Sequence, residues 1–567
     1  MSTIKISMGN HQADYEKACK DVEEQNIINR IWGKDHTVWN DDPTEISNRL
    51  GWLDSTKTTM DSINEITDFV QSIQKGGFTH ALLLGMGGSS LAPEVLRFTF
   101  GVNDGFLDLS VLDSTDPGAV LDYSYKLNPA KTLYIVSTKS GGTVETLSFT
   151  KYFYTCVSNK IGADKVGNHF IAITDPGSGL ESMARQLKFR KVFLNDPNIG
   201  GRYSALSFFG MVPAALVGIN LTKFIERANK AVVNSHETIE SNAAAKLGVA
   251  IGDAANVGID KLTFIMSNEV SFLGVWIEQL IAESTGKIGK GIVPVVDEEI
   301  LSPDGYSRDR IFVHLKIEGD TTNDGAVKQL LDAGFPVIEL TMEDIYDLGT
   351  QFFTWEFATV IAGWRIGIQP FDQPDVESAK VQAKEMINQY RVKGELPSFD
   401  PILKSDGMKF YGDITGESIN ELLEAFMSKL VVGKDEFNGR SYVALQAFIK
   451  PDESTSEALQ ELRTLIQEKY KVAVTTGYGP RFLHSTGQLH KGDAGNGLFI
   501  QFTAAMLKDA SIPDNPGASK SSVSFGILKT AQALGDRNAL LHKNRNVLTI
   551  DLGDDIVSAL KLIGSKI

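Results

Sequence analysis

Residues 82–96 read LLLGMGGSSLAPEVL: an apolar run, a turn rich in glycine and serine, and then a helical pattern. Gly87 and Gly88 have no side chain, so the backbone of this turn can approach a ligand closely. Ser89 and Ser90 place hydroxyl groups at the helix start, where free N–H groups and the helix dipole favour an anion. A tight strand–helix turn with a serine cap has the same pattern, so this stretch alone leaves both interpretations open. The spacing matches neither a Walker loop nor GxGxxG and implies no nucleotide.

A second loop of this kind, STKSGGTVET, occupies residues 137–146 after another apolar run. Its polar side chains include Ser137, Thr138, Lys139, Ser140 and Thr143. Several hydrogen-bond donors, one cation and a helix start are the groups that bind a monophosphate. The alternative is a helix cap rich in serine and threonine beside a solvated lysine. Two such loops after neighbouring strands favour a phosphate site.

Apolar runs alternate with helical patterns along most of the chain, which is typical of parallel strands covered by helices on both faces. The runs are 81–84, 109–112, 133–136, 170–174, 192–194, 262–266, 311–315 and 337–340, followed after Pro401 by 442–449, 497–502 and 547–552. The sequence therefore predicts an α/β protein with two doubly wound parallel-sheet domains and a C-terminal α/β domain. We place an N-terminal helical arm at 1–50 and the domains at 51–205, 206–400 and 401–567. Loops at the carboxyl ends of such strands bind ligands.

Composition limits the classes of function. The chain has 567 residues, of which 42% are hydrophobic and 22% charged, as in soluble globular proteins. Its net charge of −16 argues against nucleic acid or a membrane surface as the main partner, although a small anion site can still be locally positive. The longest apolar stretch, 208–219, is too short for a membrane span, and we recognise no signal peptide. Cys19 and Cys156 lack CxxC spacing, so we expect no disulfide framework and a cytoplasmic location.

The two loops resemble the SIS (sugar isomerase) phosphosugar-binding domain. Three further blocks resemble the glucose-6-phosphate isomerase family: IGGRYSALSFFG at 199–210, AESTGKIGKG at 282–291 and PFDQPDVESAK at 370–380. The C-terminal part, with GYGPRFLHSTGQLHKG at 477–492, resembles the variant found as one half of transaldolase–isomerase fusions. The resemblance implies two SIS-type, flavodoxin-like domains and an isomerase that uses no metal or organic cofactor. It also implies substrate contacts from Gly87, Gly88, Ser89, Thr138, Lys139, Ser140, Thr143, Gly201 and Gln373.

Three residues of these blocks are candidates for the chemistry of an aldose–ketose isomerase, which needs a base, a cation and a group that opens the sugar ring. Glu283 follows the apolar run WIEQLIA, and the resemblance implies that it is the proton-transfer base. Its alternative is a helix-end carboxylate paired with Lys287. Arg202 follows two glycines, and the resemblance assigns it stabilisation of the transition state rather than a place on the surface. Lys380 lies three residues after Glu377 and is either an exposed helix lysine or, by resemblance, a group that helps ring opening.

The histidines depart from the family pattern. The segment 318–331, where the family places its ring-opening histidine, contains none, and His314 lies within a predicted strand and is expected in the core. The C-terminal unit instead has His484 and His490 in a polar segment punctuated by glycine, which suits ligand contact. We choose His484 because Gly–Pro and Ser–Thr pairs flank it as at a loop tip. A role for His490, a bland surface loop and a metal site that includes Asp493 are the alternatives.

We therefore expect an enzyme that interconverts glucose 6-phosphate and fructose 6-phosphate through a cis-enediol. Two alternatives stay open: an isomerase that also accepts mannose 6-phosphate, and a non-catalytic phosphosugar-binding SIS protein. The presence of Glu283, Arg202 and Lys380 together favours an enzyme. The expected partner is a small phosphosugar, with no nucleic acid and no membrane. The residues do not decide whether the protein forms a homodimer or works with a separate transaldolase.

Overall fold

The N-terminal segment starts with a strand that the sequence interpretation missed. A computed structural model of the chain describes residues 3–431 and 440–567, without the side chains of residues 378 and 379. The segment contains β1 (Thr3–Ser7), α1 (Gln12–Glu24), α2 (Ile27–Trp32) and α3 (Ser55–Lys75). In β1 the apolar Ile4 and Ile6 alternate with polar residues and pack on the core. This period of two fits an edge strand, so the prediction of a wholly helical arm over 1–50 is wrong at β1.

The first sheet is parallel throughout and carries both glycine-rich loops. Its strands have the order β3-β2-β4-β5-β6. They are β2 (His80–Gly85), β3 (Asp108–Leu112), β4 (Thr132–Ser137), β5 (Phe170–Thr174) and β6 (Lys191–Leu194). The helices are α4 (Leu91–Phe100), α5 (Pro117–Lys126), α6 (Val144–Ile161) and α7 (Gly179–Gln186). Because β2 and β4 are neighbours, the loops that follow them lie side by side.

The second sheet has the order β1-β10-β9-β7-β8, in which β1 alone is antiparallel. Its other strands are β7 (Lys261–Met266), β8 (Val293–Val295), β9 (Arg310–Ile317) and β10 (Val337–Met342). The helices of this part of the chain are α8 (Phe208–Leu216), α9 (Leu221–Asn234), α10 (Ala243–Asn256), α11 (Leu273–Thr285), α12 (Asp324–Asp332), α13 (Leu348–Ile366) and α14 (Val376–Lys393). Leu83 of β2, Val313 of β9 and Trp276 of α11 belong to one continuous apolar core, so the first two sheets are packed as a unit.

The third sheet has the order β11-β12-β18-β15-β13-β14, in which the last four strands are parallel. The strands are β11 (Leu403–Ser405), β12 (Met408–Tyr411), β13 (Tyr442–Phe448), β14 (Ala473–Tyr478), β15 (Gly497–Thr503) and β18 (Asn546–Asp551), with β16 (Ser511–Pro513) and β17 (Ser521–Ser524) as a separate hairpin. The helices are α15 (Ile419–Met427), α16 (Glu453–Tyr470), α17 (Gly487–Gly492), α18 (Phe525–His542) and α19 (Ile556–Gly564). This confirms the predicted α/β class; the exact domain boundaries stay predictions.

The third domain docks against α11 through one face of its sheet. Tyr442 and Ala444 of β13 pack with Leu489 of α17 and with Ala282 of α11 in one buried apolar cluster. The neighbouring residues Val443 and Leu445 point to the opposite cluster, together with side chains of α16 and α19. The docking face is therefore part of the core and lies directly beside Glu283. Among the described residues, no helix has both the length and the apolarity that a membrane crossing requires.

Candidate active site

Four segments that are distant in sequence converge at the end of β2. Gly87 has a positive φ of 53°, and a Cβ atom there would lie 2.8 Å from Nε2 of Gln279 and 2.9 Å from the carbonyl oxygen of His484. A Cβ atom on Gly88 would lie 2.0 Å from the carbonyl oxygen of Gly201. The first glycine-rich loop is therefore in direct contact with α11, the 199–210 block and the third domain. Only glycine fits such an approach.

Arg202 is buried and fixed by five polar contacts. Its Nε donates to the Ser284 hydroxyl at 2.8 Å, its Nη1 to Gln373 Oε1 at 2.9 Å, and its Nη2 to two carbonyl groups of the segment 370–372 at 2.7 and 3.0 Å. Glu283 Oε1 lies 3.4 Å from Nη1. The alternative of a surface arginine is therefore wrong, and three of the blocks quoted above meet at this guanidinium group.

Gln279 links Glu283 to the third domain. It lies one helical turn before Glu283 on α11, and its Nε2 donates to Glu283 Oε2 at 3.0 Å and to the carbonyl oxygen of His484 at 2.8 Å. The sequence interpretation missed it, although an i, i+4 spacing places both side chains on one helix face. Glu283 does not form the alternative ion pair with Lys287. Lys287 donates instead to Asp372 Oδ1 at 2.7 Å, and burial lowers its pKa to about 7.

His484 contacts a buried carboxylate at the start of α6. Its Nε2 lies 3.1 Å from Oε1 of Glu145, whose side chain is 5% exposed. Burial acts to raise the pKa of Glu145, but His484, the backbone and Lys380 together outweigh it and hold that pKa below its ordinary value. Glu145 was also missed, although it stands within the second glycine-rich loop that was singled out. A carboxylate that accepts from an imidazole fixes the ring and its tautomer.

Two cavities adjoin the second glycine-rich loop and share Ser140. The larger, of about 540 Å³, is lined by Thr143, Glu145, Lys380 and His484 among others. The second, of about 410 Å³, is lined by Lys139, Gly201 and Gln373 among others. Lys380 is half-exposed, with its Nζ 2.9 Å from Glu377 Oε1, so it lies at the rim of the cavity that His484 lines. The predicted site residues that line neither of these two cavities are Gly87, Gly88, Ser89, Thr138, Arg202 and Glu283.

The side chains of the second loop are ordered by contacts among themselves and with the next loop. The hydroxyl groups of Thr138 and Thr143 lie 3.1 Å apart, and Ser140 accepts from the backbone N–H of Gly142 at 3.2 Å. The ammonium group of Lys139 pairs with Asp175. Burial raises the pKa of Asp175 even though Lys139 opposes the rise. The cation of this loop is thus held in place by a carboxylate rather than solvated. Ser89 joins the two loops, because its carbonyl oxygen accepts from Ser137 at 2.9 Å.

The segment 477–492 has regular structure and packs between the domains. The alternative of a bland surface loop and the expectation of a loop tip at His484 are therefore wrong. It forms the end of β14, a 3-10 turn at Arg481–His484 and α17. Arg481 forms ion pairs with Glu94 and Asp113, which belong to the first domain. These contacts attach the His484 turn to the first sheet.

The short helix α17 attaches the segment to the end of α11. Gln488 donates to the carbonyl oxygen of Gly286 at 2.9 Å and to Asp375 at 2.8 Å. A Cβ atom on Gly492 would lie 2.2 Å from that same carbonyl oxygen. Apolar packing, hydrogen bonds and ion pairs therefore all hold the His484 turn beside Glu283.

The other two candidate histidines face other surroundings. His490 is buried, its Nδ1 lies 3.2 Å from Nε2 of Gln446, and burial lowers its pKa well below the ordinary value. His314 is buried in β9, as expected, and burial lowers its pKa as well. Asp493 accepts from the Tyr442 hydroxyl at 2.8 Å. The described residues contain no group of three or more His, Cys, Asp or Glu side chains arranged to hold a metal ion.

Comparison with known proteins shows which family the chain is similar to. Residues 38–295 match the family model of phosphoglucose isomerase. The chain is similar to that family over these residues. Glu283 and Arg202 lie within the matched residues, whereas Lys380 and His484 lie beyond them.

Curated relatives in this family align with most of their own length. The glucose-6-phosphate isomerase of Campylobacter jejuni is 27% identical over an alignment 384 residues long that covers 60% of this chain and 93% of the relative. That of Thermus thermophilus is 26% identical over an alignment 391 residues long that covers 60% of this chain and 91% of the relative. Two fifths of this chain therefore lie outside these alignments.

Solved structures share the fold. A glucose-6-phosphate isomerase from Chlamydia trachomatis superposes with a TM-score of 0.59 at 17% identity, over 70% of this chain and 89% of that one. A hypothetical protein from Thermus thermophilus gives a TM-score of 0.58 at 22% identity, over 68% of this chain and 99% of that one. At these identities the likeness concerns the fold.

The contact between the first loop and Gly201 predicts a strong effect of one added methyl group. In Gly88→Ala the new Cβ atom must displace the Gly201 carbonyl group and with it Arg202, so we expect isomerase activity to fall at least ~10-fold and unfolding free energy to fall by about 1–3 kcal/mol. Gly325→Ala is the control, because a Cβ atom there meets no neighbour within 4 Å. Chemical denaturation and a coupled assay measure both quantities. Equal activity and equal stability of the two variants would show that the first glycine-rich loop and the 199–210 block do not constrain each other.

Proposed function

We propose that this protein interconverts glucose 6-phosphate and fructose 6-phosphate. The observation that carries the proposal is the contact of Glu283 with Arg202, at 3.4 Å, within residues that match the phosphoglucose isomerase family. A carboxylate and a fixed guanidinium group, both buried beside the first glycine-rich loop, are the base and the cation that an aldose–ketose isomerisation requires. A phosphosugar sensor needs neither.

Glu283 removes the proton from C2 of the open-chain aldose and returns it to C1, while the hydroxyl proton on O2 moves to O1. The reverse reaction runs in the opposite order. The intermediate is a cis-enediolate, whose negative charge Arg202 stabilises because its guanidinium group is already fixed by neighbouring carbonyl groups and Gln373. Gln279 orients the carboxylate by its hydrogen bond to Oε2, which leaves Oε1 towards the guanidinium group.

The phosphate group lies at the second glycine-rich loop, between the two cavities that share Ser140. Hydroxyl and backbone N–H groups at the start of α6 bind it, and Lys139 supplies the positive charge while Asp175 holds its ammonium group. The first loop, with Gly87, Gly88 and Ser89, borders the sugar, as do Gly201 and Gln373. The contact with the phosphate group is the same in both sugars and therefore serves binding rather than the chemical step.

His484 opens the sugar ring, and Lys380 assists at the rim of the same cavity. An imidazole accepts the proton of the anomeric hydroxyl group and returns it to the ring oxygen. Glu145 holds the imidazole in position. Because His484 and Glu283 belong to one chain, we propose that each chain contains a complete site, whether or not the protein dimerises.

The assignment of the base predicts the kinetics of Glu283→Gln. The amide keeps the shape of the side chain but cannot accept the C2 proton, so we expect kcat to fall roughly 10²–10⁴-fold with KM little changed. A coupled assay in both directions measures this, and replacing the supplied sugar by mannose 6-phosphate tests the wider specificity. Turnover within a factor of two of wild type would refute the assignment.

The phosphate loop predicts a uniform loss of binding. Lys139→Ala, and Ser140→Ala combined with Thr143→Ala, should raise KM for both sugar phosphates by a similar factor, on the order of 10-fold or more, with a smaller effect on kcat. Inhibition by an unreactive sugar-acid phosphate should weaken in parallel. Undiminished inhibition would place the phosphate elsewhere.

The ring-opening role predicts a substrate-dependent effect of His484→Ala. Fructose 6-phosphate is mostly cyclic, whereas 5-deoxyfructose 6-phosphate stays open because it lacks the hydroxyl group that closes the ring. We expect the variant to lose roughly 10²–10⁴-fold in kcat/KM on the first sugar and little on the second. Equal losses on both would contradict the role. If only His490→Ala loses activity on the cyclic sugar, the ring-opening role belongs to His490, six residues further along the chain.

A further inference from the structure

One side chain of α18 reaches into the first domain and meets the carboxylate of Glu145. Gln532 is 3% exposed, and its Nε2 donates to Glu145 Oε1 at 2.6 Å. Its Oε1 accepts from the hydroxyl group of Thr115 at 2.7 Å. The residues concerned are 417 and 387 positions apart along the chain, so the contact exists only in the folded protein.

The orientation of this amide is dictated by its neighbours. An ionised carboxylate only accepts hydrogen bonds, so the nitrogen of the Gln532 amide must face Glu145 and its oxygen must face Thr115. The Thr115 hydroxyl group then donates, which keeps the amide from rotating. The amide N–H is thereby aimed at the carboxylate before any substrate is bound.

The same oxygen of Glu145 receives two contacts. Nε2 of Gln532 lies 2.6 Å from Oε1, and Nε2 of His484 lies 3.1 Å from it. A hydrogen bond donated to the charged form of a carboxyl group stabilises that form, and here it offsets part of the cost of burial. Removing the donor would leave a carboxylate that has lost one of its partners.

The helix that carries Gln532 is itself fixed on the first domain. Lys529, one turn earlier, donates to Asp116 Oδ2 at 2.8 Å, and both side chains are buried. Lys529 and Gln532 therefore reach the 113–118 loop and α6 from the same face of α18. Gln532 is thus held by its helix as well as by Thr115.

We propose that Gln532 is a positioning residue for ring opening: its hydrogen bond holds the Glu145 carboxylate aimed at His484, and it thereby acts on the sugar through both. The proposal rests on the function proposed above. The third domain then supplies the histidine as well as the amide that orients its carboxylate, and the first domain supplies the carboxylate between them.

Three variants test this role. Gln532→Leu removes the donor, and Gln532→Glu places a second carboxyl group at hydrogen-bond distance from Glu145, where the two cannot both be ionised at little cost. Gln467→Leu is the matched control, because it removes another buried glutamine of the third domain. Gln467 belongs to α16, and this helix packs in the apolar cluster on the opposite side of the third sheet. Circular dichroism at each pH used verifies that the variants are folded.

For Gln532→Leu we expect kcat/KM on fructose 6-phosphate to fall about 10- to 100-fold, which is the range for losing a hydrogen bond to a charged group. Activity on 5-deoxyfructose 6-phosphate should stay within a factor of about three of wild type, since Glu283 and Arg202 are untouched. Because the pKa of Glu145 rises when a donor is lost, the acid limb of the pH profile moves to higher pH in both Gln532 variants. Gln467→Leu should show neither effect.

Each result separates this inference from the function beneath it. If wild type isomerises and His484→Ala loses only the cyclic substrate, but both Gln532 variants match wild type, the positioning role is overturned and the proposed function stands. A loss that is equal on both substrates, with an unmoved acid limb, would make Gln532 merely structural and also overturns it. If wild type does not isomerise either sugar, the proposed function fails first.

Discussion

The site depends on the hydrogen bonds of a single amide, that of Gln279. It holds the carboxylate of Glu283 on one side and the backbone of the His484 turn on the other. A side chain with one donor group shared between two acceptors fixes their separation more closely than apolar packing does. The absence of a side chain at Gly87 follows from this constraint, because a Cβ atom there would lie 2.8 Å from the same amide nitrogen, whereas Gly88 is required by its contact with Gly201.

Two kinds of force hold the third domain against this centre. An apolar cluster joins α17 and β13 to α11, and a buried ion pair of Lys529 with Asp116, at 2.8 Å, joins α18 to the first domain. Such a pair specifies a geometry more than it adds stability, since desolvation offsets much of the attraction. The combination keeps the imidazole of His484 at a fixed point beside the first domain.

Sequence patterns predicted most of the framework and part of the site. Parallel strands such as 170–174 are apolar throughout and hence visible, whereas β1, β8 and β14 are short or rich in polar residues and glycine and were missed. Glu283 and Arg202 were found because each stands in a distinctive block. Glu145 and Gln532 were not, since nothing in either local sequence indicates that residues 387 positions apart share a hydrogen bond. Side-chain partners across domains follow from packing, which periodicity along the chain does not encode.

The position of the histidine within the same chain as Glu283 also affects how the site assembles. When a catalytic group comes from a second subunit, the fraction of complete sites falls as the protein is diluted below its dimerisation constant. Here the third domain, which carries His484, is joined covalently to the second domain through the segment between α14 and β11, so its docking is intramolecular. The effective concentration of a group on a short flexible connection is on the order of millimolar and does not depend on how much protein is present. The occupancy of the His484 position is therefore set by folding alone and not by mass action.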